Sequence, residues 1–101
     1  MYVSYGVVWR EGDHEVVAGK LELLPQSLRL DGRNGGEEIP YDRLAGVHVG
    51  RSAGERLGGR PAVVLQRHGA EDVTIAPVAQ SHLVGEIAER LVALSRKAQA
   101  A

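Results

Sequence analysis

The chain has 101 residues, 44% apolar and 25% charged, which suits one globular domain with a single modest core and argues against wholesale disorder. A formal net charge of −1 gives no global attraction to nucleic acid or to an anionic membrane, so any such contact has to come from a local patch. There is no cysteine, which excludes disulfides, thiolate metal sites and a cysteine nucleophile.

The first three quarters of the chain has a period near two. In "YVSYGVVWR", residues 2–10, Val3, Tyr5, Val7 and Trp9 fall on one face, as in a strand whose inner side meets a core. This segment has no basic n-region and alternates instead of running apolar, so it reads as a strand and not a signal peptide, and the expected setting is cytoplasmic. Gly12 and Asp13 then mark a turn. Residues 19–24, "GKLELL", alternate Leu21 and Leu23 against Lys20 and Glu22. Pro25 and Gln26 form a short turn, because proline presets φ there. Residues 27–31 alternate Leu28 and Leu30 against Arg29 and Asp31. "GRNGG" is a hairpin connection in which Asn34-Gly35 can take positive φ. A short strand with Ile39 inward ends near Pro40, and the next carries Val47 and Val49 inward. After "GRSAGERLGGRP", residues 50–61, the segments 61–68 and 71–77 form a hairpin around Gly69.

From Ser81 the period changes. Leu83, Val84, Ile87, Ala88, Leu91 and Leu94 make a stripe of period 3.6, which predicts one amphipathic helix over about 80–97. Ser81 is positioned as its N-cap. Gly85 costs about 1 kcal/mol relative to Ala inside a helix, and close approach of the helix backbone to the sheet would account for it. The expected architecture is a single domain, residues 1–101. It is mainly β, a bent antiparallel barrel or sandwich of about seven strands within residues 2–76, with one C-terminal capping α-helix.

"GKLELLPQSLRLDG", followed by "EEIPYDRLAGVHVGR", a two-strand hairpin and a final amphipathic helix, resembles the bacterial pleckstrin-homology-like (PH-like) domains over essentially the whole chain. The resemblance implies a strongly bent seven-stranded barrel capped by a helix. It also implies a non-enzymatic binding or scaffolding role without a cofactor. Two features depart from the phosphoinositide-binding members. The first hairpin sets Arg10 against Glu11, Asp13 and Glu15, which repel an inositol phosphate, and the only Trp lies on the first strand and not in the helix.

Two candidate surfaces follow. The second face of the first strand, with Tyr2 and Val8, is not fully polar, so Tyr2, Val8 and Trp9 are candidate partner-binding residues for a protein, and an open sheet edge offers a route to self-association. The loop 50–61 is rich in Gly and Arg, so Arg51, Arg56 and Arg60, with Arg43, are candidate anion-binding residues for an anionic lipid head group or a phosphorylated ligand. The loop lacks the Gly-Lys-Ser/Thr of a phosphate-binding P-loop and the G-x-G-x-x-G of a dinucleotide site. His14, His48, His68 and His82 fall in separate elements without ligand spacing, so no metal is expected. Ser52 is the one serine in a setting that suits a nucleophile, but the sequence assigns it no base, and a small hydrolase would need a deep pocket with a perturbed titratable group.

Overall fold

The alternation along the chain becomes a sheet because each strand buries one face and leaves the other outward. The structure, a computed structural model, describes residues 3–33 and 35–100. The strands are β1 (Val3–Glu11), β2 (Val17–Leu23), β3 (Ser27–Gly32), β4 (Gly35–Pro40), β5 (Leu44–Gly50), β6 (Ala62–Arg67) and β7 (Val73–Pro77), followed by one helix, α1 (Leu83–Ala100). All neighbours are antiparallel in a single sheet of order β4-β3-β2-β1-β7-β6-β5. The sheet curls into a half-barrel, and α1 packs on β5, β6, β7 and the 3₁₀ turn Tyr41–Arg43. The mainly β, helix-capped architecture expected from the sequence is therefore the one found. None of the described helices is long and apolar enough to cross a membrane.

The inward alternation of β1 holds: Tyr5, Val7 and Trp9 are buried with Leu21, Leu28, Leu30, Leu65, Ile75, Ile87 and Leu91 in one core. Tyr5 Oη donates to Glu86 Oε2 at 2.6 Å and ties β1 to α1. Burial, and then this bond to a carboxylate, push the Tyr5 hydroxyl up to about 12. At the other end of the helix, Gln99 Nε2 donates to the Leu44 carbonyl at 2.7 Å, just before the irregularity between Leu44 and Gly46 in β5. Tyr41, fully inside, donates its hydroxyl to the Leu24 carbonyl at 2.7 Å and fastens the β4–β5 connection to the β2–β3 turn.

Arg67, at the end of β6, lies at the margin of the core. Its side chain is only 6% exposed and donates to Glu37 on β4 at 2.8 Å, to Glu11 on β1, and to the Glu71 carbonyl at 2.7 Å. Three strands that are not neighbours of one another are thereby clipped together where the sheet curls.

Two local expectations need correction. The helix begins at Leu83, two residues beyond the expected N-cap, and its first turn is closed by backbone bonds in which Ser81 contributes its carbonyl to the Val84 N–H at 3.2 Å. Gly85 does not lie close against the sheet, since a Cβ there would meet nothing within 4 Å. Only the helix-propensity cost of the glycine remains. Gly85→Ala is therefore expected to stabilise the fold by about 0.5–1 kcal/mol and to raise the thermal midpoint by about 4 °C, readable by circular dichroism melting. The hairpin expectation at Asn34-Gly35 is met at Gly35, with φ of 106°, and its Asn34 half lies outside the described residues.

Candidate functional site

The loop between β5 and β6 folds back over the outer face of the sheet. Gly50 ends β5 where a side chain would run into Glu55 and Val64. The chain then makes the 3₁₀ turn Ala53–Glu55, closed by the Glu55 N–H on the Ser52 carbonyl at 3.0 Å. Next comes a tight reversal in which Leu57 and Arg60 exchange both backbone bonds at 3.1 Å, with Gly58 and Gly59 at φ of 60° and 77°. Two consecutive positive φ angles are the signature of a type I′ turn, and glycine adopts them without steric cost. The reversal drives Leu57 down onto the sheet, where it is 3% exposed and packs with Ala62, Ala76 and Val8. This accounts for Val8 on the outer face of β1, which receives the loop.

The arginines are partly occupied. Arg56 Nε donates to the Arg51 carbonyl at 2.8 Å, and one Arg60 Nη donates to the Val78 carbonyl at 3.3 Å. Each of Arg51, Arg56 and Arg60 is still exposed, so the loop presents a cationic surface. The loop's one carboxylate is countered from within: Glu55 takes the Ser52 hydroxyl at 2.7 Å and faces His48 Nε2 at 3.0 Å. These two bonds, His48 first, hold the Glu55 carboxyl below its usual range. The order Ser52–Glu55–His48 puts a carboxylate, not an imidazole, next to the hydroxyl.

Arg43 does not belong to this surface. It precedes β5 while Arg51 follows it, roughly 25 Å away along the strand at about 3.3 Å per residue. Trp9 also leaves the candidate partner surface, because it points to the inner face and is only 9% exposed. Tyr2 lies outside the described residues. Of the partner-binding candidates, the structure thus places Val8 on the outer face, next to Arg60 from the anion-binding set.

Val8 and Arg60 border one shallow depression of about 430 Å³ together with Leu57, Gly58, Val16 and Val78. Val16 and Val78, each 52% exposed, are the exposed large apolar side chains among the described residues, and both lie here. The sequence reading missed Leu57, Val16 and Val78. Leu57 did carry a signal, as the one large apolar residue in an otherwise Gly- and Arg-rich loop, set directly before Gly-Gly.

No family model and no curated protein matches this chain. Among solved structures, the C-terminal domain of an unknown protein from Leishmania infantum superposes with a TM-score of 0.72 at 16% identity, covering 92% of this chain and 81% of that one. At that identity the likeness shows a shared fold.

Proposed function

We propose that this chain is a PH-like interaction module of the cytoplasm that binds a protein partner on the outer face of its sheet and carries out no chemistry of its own. The observation that carries this reading is the convergence of Val16 and Val78, both half-exposed, on one depression floored by Val8 and Leu57. Exposed apolar side chains clustered in one place mark contact surfaces, whereas scattered ones do not. The Arg60 rim adds a cation beside the apolar floor, which suits a partner segment that places a carboxylate next to an apolar side chain.

The double variant Val16→Asp/Val78→Asp puts two carboxylates into this depression at positions that do not support the core. Its melting curve is expected to match the wild type, while affinity for a partner captured by the wild-type chain falls about tenfold or more. An undiminished affinity would remove the surface from consideration.

A second reading uses the same loop for an anionic head group or phosphorylated ligand, and it is supported by Arg51, Arg56 and Arg60 being exposed together while Glu55 is countered by His48 and Ser52. Partner binding that survives the double variant, combined with salt-sensitive inositol phosphate shifts in the amides of residues 50–60, would transfer the assignment to that reading.

A further inference from the structure

The outer-face depression has a cation on its rim with nothing acidic to neutralise it. Val8, Val16, Leu57 and Val78 supply its apolar lining, and Arg60 is the charged residue beside them. Among the described residues, no carboxylate lines the depression or lies within ion-pairing reach of Arg51, Arg56 or Arg60. Glu55, the one acid of the loop, is taken up by Ser52 and His48. Arg60 is exposed, and its guanidinium gives a single N–H, out of the five that the group carries, to the Val78 carbonyl at 3.3 Å. Next to it, the exposed Gly58 and Gly59 N–H groups have no acceptor among the described residues, because the turn is closed by the backbone bonds between Leu57 and Arg60. A Cβ at either glycine would meet nothing within 4 Å, so the turn is open to an approaching anion.

The short distance from cation to apolar surface decides what fits. The bond to the Val78 carbonyl holds the Arg60 guanidinium against the backbone of a residue whose side chain is half-exposed in the depression. A carboxylate on Arg60 therefore has to sit close beside the apolar group that enters the depression. In an extended segment, an acidic residue and its apolar neighbour point to opposite faces, and residues on one face are about 6.6 Å apart along the strand. A C-terminal residue meets the requirement directly, since its α-carboxylate and its side chain leave the same carbon. A terminal carboxylate is also an acceptor that guanidinium and loop N–H groups hold together.

Resting on the outer-face reading above, we propose that the depression receives the C-terminal residue of a protein partner. The α-carboxylate accepts from Arg60 and from the Gly58-Gly59 turn, and a branched apolar side chain lies against Val16 and Val78.

The test is a titration of the isotope-labelled full chain with N-acetyl-alanyl-alanyl-leucine as the free acid, followed at the amides of Gly58, Gly59 and Arg60 and at the methyls of Val16 and Val78. The free acid is expected to shift both sets saturably. Its C-terminal amide should bind about tenfold more weakly, the size of one charge-assisted hydrogen bond. N-acetyl-alanyl-alanyl-glycine, which keeps the carboxylate and lacks the side chain, should bind about fivefold more weakly. N-acetyl-leucyl-aspartic acid α-amide, which carries its carboxylate on the neighbouring residue, should bind no better than the leucine amide. Arg60→Gln, at an exposed position in a turn held by backbone bonds, should bring the free acid down to the affinity of its amide. Should that variant disturb the turn, the acid-to-amide ratio in the wild type decides. No saturable shift with the free acid, equal affinity for acid and amide, equal affinity for the internal aspartate, or inorganic phosphate moving the same amides with equal affinity overturns the proposal. If one of these is found while Val16→Asp/Val78→Asp still weakens the captured partner, the contact surface stands and its C-terminal occupant is ruled out. If the double variant is also without effect, both fall.

Discussion

Arg67→Met is expected to lower the free energy of unfolding by about 2–3 kcal/mol, seen as a fall in the urea midpoint at unchanged slope. The guanidinium is nearly buried, and its two carboxylate partners come from β1 and β4. Burial works against its charge, but the bonds and charges of Glu11 and Glu37 outweigh it and hold the group protonated more firmly than usual. Removing it leaves two carboxylates facing each other with no counter-charge, and breaking a buried pair in this way costs about 3–5 kcal/mol. Water still reaches about a third of each glutamate side chain, which brings the expected loss below that range. Arg67→Lys should recover only part of it, because a single ammonium cannot hold two carboxylates and the Glu71 carbonyl in the fork geometry that guanidinium provides. The triple variant Glu11→Gln/Glu37→Gln/Arg67→Met removes the stranded charges and should recover most of the stability. An Arg67→Met chain that unfolds at the wild-type urea midpoint would show that the clip contributes nothing to closure.

This clip was partly legible. Val63, Leu65 and Arg67 share one face of β6 by simple alternation, so the guanidinium had to enter the interior or end the strand, and an inward arginine requires a carboxylate. Which carboxylates it meets depends on how far the sheet curls, and that curl follows from twist and packing between distant segments. The same division runs through the molecule. Strand alternation and the helical stripe are local, and Tyr5, Val7, Ile87 and Leu91 are buried as their spacing predicts. The helix start moved past Ser81 because its first turn is closed by backbone bonds. The close approach of Gly19 to the β3 backbone and of Gly32 to Val17 has no signature along the chain, since these residues become neighbours only through strand register. The outer-face depression combines Val8, Val16, Leu57 and Val78 from four separate segments, and of these only Val8 is itself a candidate from the sequence pattern, Leu57 lying unremarked within the Gly- and Arg-rich stretch.

Leu57→Ala is expected to release the loop of residues 51–60 while leaving the main core folded. Burying a leucine side chain is worth about 1.5–3 kcal/mol, and here the contacts are confined to Val8, Ala62 and Ala76, outside the cluster that holds the sheet to the helix. The loss therefore falls on a local opening and not on global unfolding. A loss of about 2 kcal/mol corresponds to roughly thirtyfold faster exchange of the amides that open with the loop, the Leu57 and Arg60 N–H groups paired across the turn being the clearest reporters. Amides in β1 and β7 should keep their wild-type rates, because their pairing does not involve the loop. The Gly58-Gly59 turn has its own backbone bonds but no other buried side chain to anchor it, so Gly58 and Arg60 lose their position beside Val78 when Leu57 is truncated. Partner affinity should then fall together with loop protection. Unchanged exchange at Leu57 and Arg60 would mean that the 3₁₀ turn and the His48–Glu55–Ser52 bonds hold the loop without Leu57. Faster exchange with full partner affinity would separate the loop from the contact surface and leave Val16 and Val78 to carry it alone.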